Sequence, residues 1–263
     1  MSAIILDERM VHYEVLGRGR PVIFLHGWVG SWRYWVPAMQ AAAMSFRAYA
    51  LDLWGFGDTA HDPACYRLDQ QANLLDLFMQ EMGIGRVALV GHGLGGLAAL
   101  VFARRYPQIV DRLMLIDMPV DIRSVAGRLR TPASPADLAD WLLGKGANTE
   151  PARTDASKAD PLAITTSMTS LDAVELMPIL NSLVTPCLFV HGLSDPAIQM
   201  LDDERVEAMP YLVHQVVLEA SGHFPMLDET ARFHRLMNDF LALTSGESPR
   251  DLQTKEEWKR RVR

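Results

Sequence analysis

The stretch Arg86–Pro107, RVALVGHGLGGLAALVFARRYP, decides how the chain is read. Val87–Val90 is an apolar run too short for a helix and typical of a strand buried on both faces. Gly91, Gly93, Gly95 and Gly96 follow at once. Leu97, Leu100, Val101 and, less regularly, Phe102 and Tyr106 then recur at helical spacing until Pro107 ends the pattern. A strand, a tight glycine-rich turn and a helix form the setting in which a sharp turn lifts one side chain clear of a sheet. Gly91-His92-Gly93-Leu94-Gly95 fits G-x-S-x-G at every fixed position except the central one. Gly93 stands there, and it has no atom able to attack a carbonyl.

The same glycines also spell G-x-G-x-x-G. That dinucleotide fingerprint opens the first βα unit of its fold, whereas here the motif follows several strands, and the elbow reading is preferred. No phosphate-binding loop of the G-x-x-x-x-G-K-[ST] type is present.

Towards the N-terminus, Phe46–Leu53 and Pro21–Leu25 read as further buried strands. They end in Asp52-Leu53-Trp54-Gly55-Phe56-Gly57-Asp58-Thr59 and His26-Gly27-Trp28. Ile4–Leu6 and Met10–Val15 alternate like antiparallel strands, with a turn at Gly17 and Gly19. Helices are expected over Trp32–Met44 and Leu68–Met82. Towards the C-terminus, Arg112–Ile116 is a strand that ends at Asp117. The stretch Asp121–Leu183 changes character, with scattered apolar groups, prolines and polar links, and reads as a helical insertion. Its helices are expected near Pro135–Leu143 and Leu171–Leu180. Alternation resumes with strands Pro186–Val190 and Gln215–Leu218 and helices over Ala197–Met209 and Phe224–Leu243. The division implied is a core of residues 1–120 and 184–246, a cap of 121–183, and a charged tail of 247–263.

Alternating strands and helices imply an α/β fold with a mostly parallel sheet covered on both faces. Ligands bind such sheets at the carboxyl ends of the strands. His26, Asp52, Gly93, Asp117, Asp195 and His223 each follow a strand and so share one rim, which the insertion after Asp117 would roof.

Composition sets the bounds. The chain has 263 residues, 49% hydrophobic and 22% charged, the balance of an ordinary globular protein able to bury a large core. A net charge of −7 argues against a nucleic-acid partner, which wants a basic face. No apolar run approaches a membrane span. Cys65 and Cys187 are far apart in sequence, and Met1–Met10 lacks the pattern of a secretion signal, so reduced thiols and a cytoplasmic location are expected. No His, Cys and carboxylate cluster shows metal-ligand spacing, and neither metal nor cofactor is expected.

Taken together, the chain resembles the α/β-hydrolase-fold superfamily, of the esterase, haloperoxidase and epoxide-hydrolase type, from about Val11 to Leu243. Phe24-Leu25-His26-Gly27-Trp28 is similar to its oxyanion strand and Asp52–Thr59 to its D-x-x-G-x-G-x-S loop, with Thr for Ser. Gly91–Gly95 is similar to its elbow, His191–Pro196 to its acid loop, and Ser221-Gly222-His223-Phe224-Pro225 to its histidine loop. The resemblance implies His223 as general base, Asp195 as the carboxylate that orients it, and the N–H groups of Trp28 and Leu94 as an oxyanion hole. Asp117 is the alternative acid. His26 and His92 read as structural, as do His12, His61, His191, His214 and His234. Trp141, Met168 and Leu171 are expected to line a pocket for a small, apolar, ester-like molecule.

Glycine at the nucleophile position leaves three functions open. The chain is a serine hydrolase with its nucleophile replaced, a non-catalytic binder of a small molecule, or an enzyme in which His223 and Asp195 act as a base without a nucleophile. The last reading expects room beside Gly93 for a water in the hydroxyl's place.

Overall fold

The computed structural model describes residues 2–132, 134–144 and 147–252. Its described strands are β1 (Ser2–Leu6), β2 (Arg9–Gly17), β3 (Arg20–Leu25), β4 (Phe46–Leu51), β5 (Val87–His92), β6 (Val110–Ile116), β7 (Cys187–Gly192) and β8 (Val213–Leu218). They form one sheet in the order β1-β2-β4-β3-β5-β6-β7-β8. The β1–β2 and β2–β4 pairs are antiparallel, and every later pair is parallel. All of β5 and the last four residues of β3 are buried, as apolar strands covered on both faces must be. Helices α1 (Val36–Ala42), α2 (Leu68–Glu81) and α3 (Leu94–Arg105) occupy the crossovers before β6. Between β6 and β7 the described residues form no strand, and carry the helices α4 (Gly127–Arg130), α5 (Pro135–Leu142), α6 (Glu150–Ala156), α7 (Pro161–Leu171) and α8 (Leu176–Asn181). The chain continues through α9 (Asp203–Glu207), α10 (Pro225–Asp228) and α11 (Thr230–Ala242), of which α11 packs against α1, while α2 packs against α3.

Four expected helices are redrawn by local chemistry. The first turn of Trp32–Met44 is a tighter 3-10 turn, Trp32–Trp35, capped by the Ser31 hydroxyl before α1 begins. The expected helix Leu171–Leu180 is instead α7 and α8, because Asp160 accepts the Leu162 N–H and Pro161 sets the first turn, starting a helix ten residues earlier. The expected Ala197–Met209 shortens to α9. Asp195 holds the Ala197 N–H, Ile198 bridges to Val125, and Asp202 caps the helix only afterwards. Phe224–Leu243 breaks at Glu229, whose carboxylate accepts the Ala220 N–H at 3.0 Å and the Ser221 hydroxyl at 2.8 Å. Of the expected tail, Pro249–Asp251 makes a 3-10 turn against β8, with the Arg250 Nε donating to the Val213 carbonyl at 3.1 Å. Residues 253–263, Trp258 and Val262 among them, lie outside the described residues.

The elbow depends on helix α3 lying almost on the sheet. A Cβ added at Gly95 would lie 2.5 Å from the Leu25 carbonyl oxygen, and one at Gly91 would lie 2.5 Å from the Gly95 oxygen. Both neighbours are backbone and cannot rotate away. Gly95→Ala would gain about 1 kcal/mol of helix propensity, yet overpacking against backbone costs about 1–3 kcal/mol or more. The clash wins, so the expected result is a lower urea midpoint for Gly95→Ala; an unchanged or higher midpoint would contradict the close approach.

Candidate active site

Asp52, at the end of β4, is fully buried and organises the loops at the strand ends. Its carboxylate accepts the Trp32 N–H at 2.8 Å and the Asp58 N–H at 3.0 Å, and lies 3.1 Å from His12 Nδ1. The Thr59 hydroxyl donates to the Asp52 carbonyl at 2.9 Å, so threonine does the work of the serine in that loop pattern. His26 is structural as well: Nδ1 donates to the Gly27 carbonyl at 2.7 Å and Nε2 accepts the Leu53 N–H at 3.0 Å. These bonds fix a neutral tautomer, and burial holds its pKa below the ordinary histidine value.

Gly93 stands between β5 and α3 at φ 49° and ψ −111°, the strained turn that lifts the central residue of an elbow off the sheet. Its own N–H is spent on the Ile116 carbonyl at 2.9 Å, and the Gly95 N–H on the His26 carbonyl at 3.0 Å. Leu94, as the first residue of α3, has no partner for its N–H inside the helix. Trp28 packs beside Gly93. Its ring edge lies 3.0 Å from where a Cβ at Gly93 would stand, and the side chain is 1% exposed. The indole is held from above: Nε1 donates to the Ser167 hydroxyl on α7 at 3.0 Å.

His223 follows β8 and is buried. Its Nδ1 lies 2.9 Å from an Asp195 carboxylate oxygen, and the other Asp195 oxygen accepts the Ala197 N–H at 2.7 Å. Burial works to raise the Asp195 carboxyl, but the charge and hydrogen bond of His223 outweigh it and hold it below the usual carboxylate range. The His223 ring rests on His92, the residue before Gly93, at 4.7 Å between centroids. The Tyr34 hydroxyl accepts the Gly27 N–H at 2.8 Å, which leaves its own proton for His92 Nδ1 at 2.9 Å. That network assigns the His92 proton to Nε2, and burial, with the neighbouring His223, keeps the ring neutral. Asp117, the alternative acid, has Oδ1 2.9 Å from Nδ1 of His191, and one of its carboxylate oxygens lies within 4.8 Å of a His223 ring nitrogen.

The helices between β6 and β7 are tied to these loops. Asp155 on α6 accepts from the Ser31 hydroxyl at 2.5 Å and from Arg33 Nε at 2.8 Å, and Lys158 bridges Asp155 and Asp58. Asp160 donates its N–H to the Gly55 carbonyl at 2.8 Å and accepts from the Tyr66 hydroxyl at 2.7 Å. Of the residues expected to line a pocket, Met168 and Leu171 are buried on α7, the helix that carries Ser167, whereas Trp141 stacks beneath the Arg128 guanidinium at 5.0 Å. A cleft of about 850 Å³ between α2, α3 and the α7–α8 turn is lined by Arg67, Leu68, Arg104, Ser170 and Val174; none of Gly93, Asp195 and His223 lines it. Nothing in the sequence marks Tyr34, Asp155 or Ser167, because each ties its loop or helix to a partner more than fifty positions away, His92, Ser31 and Trp28 respectively.

With this geometry in view, the comparisons with known proteins agree. A sequence profile of the alpha/beta hydrolase fold matches residues 20–148. The chain has the α/β-hydrolase fold. It is 34% identical over 117 residues to the soluble epoxide hydrolase of Corynebacterium sp., a match covering 44% of this chain and 41% of that enzyme. It thus spans less than half the length of that relative. Among solved structures it is similar to a serine-to-glycine variant of the N-acyl homoserine lactonase AidH, complexed with N-hexanoyl homoserine lactone. The TM-score is 0.78 at 20% identity, over 91% of this chain and 96% of that one. It is also similar to a malate-bound thermophilic esterase from Thermogutta terrifontis, with a TM-score of 0.77 at 23% identity, over 91% of this chain and 97% of that one. No described helix is long and apolar enough to cross a membrane, and both cysteines are free and buried.

The depressed Asp195 carboxyl has a consequence for stability. A carboxyl whose folded pKa is lowered stabilises the fold above its unfolded value of about 3.9 and ceases to do so as pH falls through the folded pKa. Asp195→Asn should therefore lower the urea midpoint at pH 7, breaking a buried pair worth about 3–5 kcal/mol when one partner is removed. The deficit should shrink as pH falls below about 4, where the unfolded carboxyl takes up its proton, and vanish only once the folded carboxyl is protonated at lower pH still. A deficit independent of pH would show that the charge on Asp195 is not what the fold uses.

Proposed function

We propose that this protein binds a small, apolar, ester-like molecule at a serine-hydrolase-type site and that, with Gly93 at the nucleophile position, it forms no acyl-enzyme. Residues 1–120 and 184–246 are the hydrolase core and 121–183 the cap, with specificity residing in the cap. The observation that carries the reading is Gly93 in the elbow conformation, beside a histidine–carboxylate pair at 2.9 Å. Everything the covalent mechanism needs from the scaffold is present except the attacking atom. In this reading His223 acts as base, Asp195 fixes its tautomer, and the Leu94 and Trp28 N–H groups stabilise an oxyanion. Support also comes from the lactonase variant with glycine in place of a serine, which was solved with a lactone. By analogy an ester or lactone is the ligand class here.

The Trp28 ring packed against Gly93 suits the binder, since an indole beside the position offers an apolar ligand a contact. An intact His223–Asp195 pair favours the base-only enzyme, and the two are separated by assay. The protein as it stands is titrated with short and medium acyl lactones and p-nitrophenyl esters, following tryptophan fluorescence and product release together. Saturable quenching without turnover is the expected result. Turnover abolished by His223→Ala would establish the base-only enzyme instead, and neither binding nor turnover would overturn the proposal.

Gly93→Ser should create esterase activity. Loss of a triad member leaves such sites about 10³–10⁴-fold above water, far below the intact constellation, so ester turnover should rise by orders of magnitude. The serine must take a strained backbone conformation at a cost of about 1–3 kcal/mol, and its Cβ must displace the Trp28 ring by a few tenths of an ångström. Trp28→Phe, which keeps the backbone N–H, should restore part of that stability. The check is hydrolysis of p-nitrophenyl esters by Gly93→Ser and by Gly93→Ser/His223→Ala. A folded Gly93→Ser protein inert across a broad ester panel would mean that the scaffold is not a dormant serine hydrolase.

A further inference from the structure

The loops that carry the proposed site meet on one side chain to which the chemistry assigns no part. Tyr34 stands on the 3-10 turn Trp32–Trp35 and is fully buried. Its ring packs as core aromatics do, 5.1 Å from Trp35 and edge-on to Phe224 at 5.5 Å between centroids. A phenylalanine would fill that space equally well. The hydroxyl is another matter, because burying one costs free energy unless hydrogen bonds replace those it made with water.

Both of its bonds go to the loops of the site. The Gly27 N–H donates to the Tyr34 oxygen at 2.8 Å, and His92 Nδ1 lies in a hydrogen bond to the same oxygen at 2.9 Å. Gly27 immediately precedes Trp28, and His92 immediately precedes Gly93. Phe224, against the Tyr34 ring, immediately follows His223. One phenol thus touches the neighbour of each residue that oxyanion binding, attack and proton transfer would use. The contact leaves no slack, since a Cβ added at Gly27 would lie 2.9 Å from His92 Nδ1. Together with the bond from the Gly95 N–H to the His26 carbonyl at 3.0 Å, Tyr34 ties the loop after β3 to the elbow at two points. A single tie would leave that loop free to pivot, whereas two fix the separation of the Trp28 and Leu94 N–H groups. The hydroxyl has one proton, and no other acceptor for it is found among the described residues, so it goes to His92 Nδ1. His92 then carries its own proton on Nε2.

We infer that Tyr34 is a positioning residue of the site: its hydroxyl clamps the loop after β3 to the elbow and fixes the tautomer of His92, on whose ring His223 rests. The inference rests on the reading of Trp28 and Leu94 as oxyanion donors and of His223 as base.

The first arm of the test needs no substrate. In the unsubstituted, ¹⁵N-labelled full chain at pH 7, His92 should show the neutral Nε2–H tautomer with Nδ1 as acceptor. An imidazolium or an Nδ1–H tautomer would overturn the inference, and this holds whether or not any variant folds. Tyr34→Phe keeps the ring and removes only the hydroxyl. In that variant the His92 Nδ1 resonance should move to that of a nitrogen without a donor, and the Trp28 and Leu94 amide resonances should shift. The Gly27 amide should exchange with solvent about tenfold faster or more. Unchanged signals would overturn the inference. So would changes confined to Gly27 and His92, because the two donors would then not depend on the clamp.

The second arm is kinetic. Loss of a whole oxyanion donor costs about 10²–10³ in kcat, and a donor loosened rather than removed should cost less. Gly93→Ser/Tyr34→Phe should therefore hydrolyse p-nitrophenyl esters with kcat about tenfold below that of Gly93→Ser and KM within about twofold. A loss confined to KM, or no loss, would overturn the inference. A Gly93→Ser protein with no activity to lower would overturn the functional reading instead, and the His92, Trp28 and Leu94 signals would still decide this one.

Discussion

The constraint on which the rest depends is the close approach of α3 to the ends of β3 and β5. Backbone meets backbone at Gly91 and Gly95, with no space for a Cβ at either. That contact aims the first turn of α3 at the strand-end rim, holds Gly93 in its strained conformation, and leaves the Leu94 N–H without a helical partner. The sheet supplies the remaining positions by register. Because β3, β5, β6, β7 and β8 are parallel neighbours, the loops after each of them open onto the same side. His26, Gly93, Asp117, Asp195 and His223 meet there without any further instruction from the chain.

Around that rim the polar groups divide by what burial allows. Asp52 is satisfied by backbone N–H groups and His12, Asp155 by Ser31, Arg33 and Lys158, and Asp195 by His223 and Ala197. Each buried carboxylate that keeps its charge has donors arranged about it, as the cost of desolvation demands. Asp117 has one such donor, the Gly192 N–H on Oδ1, and none on Oδ2, and burial raises its pKa well above the carboxylate range. The histidines divide in the same way. His26, His92 and His191 are pressed towards neutrality by burial, whereas His12 is raised because Asp52 outweighs its burial.

The core was legible in the sequence because it is written in short-range signals. Apolar runs of strand length, the glycine cluster at 91–96 and the loop motifs at His26, Asp52, Asp195 and His223 are contiguous, and each carries its own geometry. The 2.9 Å contact between His223 and Asp195 follows from two such loops on adjacent strands. Helix boundaries in residues 121–209 were not legible from apolar spacing. There the caps at Asp160 and Asp202 and the bridge at Val125–Ile198 set the ends. Trp28 shows a deeper limit: its backbone place was readable from Leu25-His26-Gly27, but its ring position depends on Ser167, on an element with no motif of its own.

The bond from Trp28 to Ser167 makes floor and roof a single mechanical piece. The ring packed on Gly93 hangs from α7, so the space beside position 93 depends on a hydroxyl 139 positions along the chain from Trp28. In evolutionary terms, positions 28, 93 and 167 are epistatic. The side chain tolerated at 93 depends on where the indole sits, and the indole sits where the hydroxyl at 167 holds it. Drift in the roof therefore alters which mutations at the floor are accessible, and a side chain at 93 is easiest to gain in a lineage that has first let go of that bond.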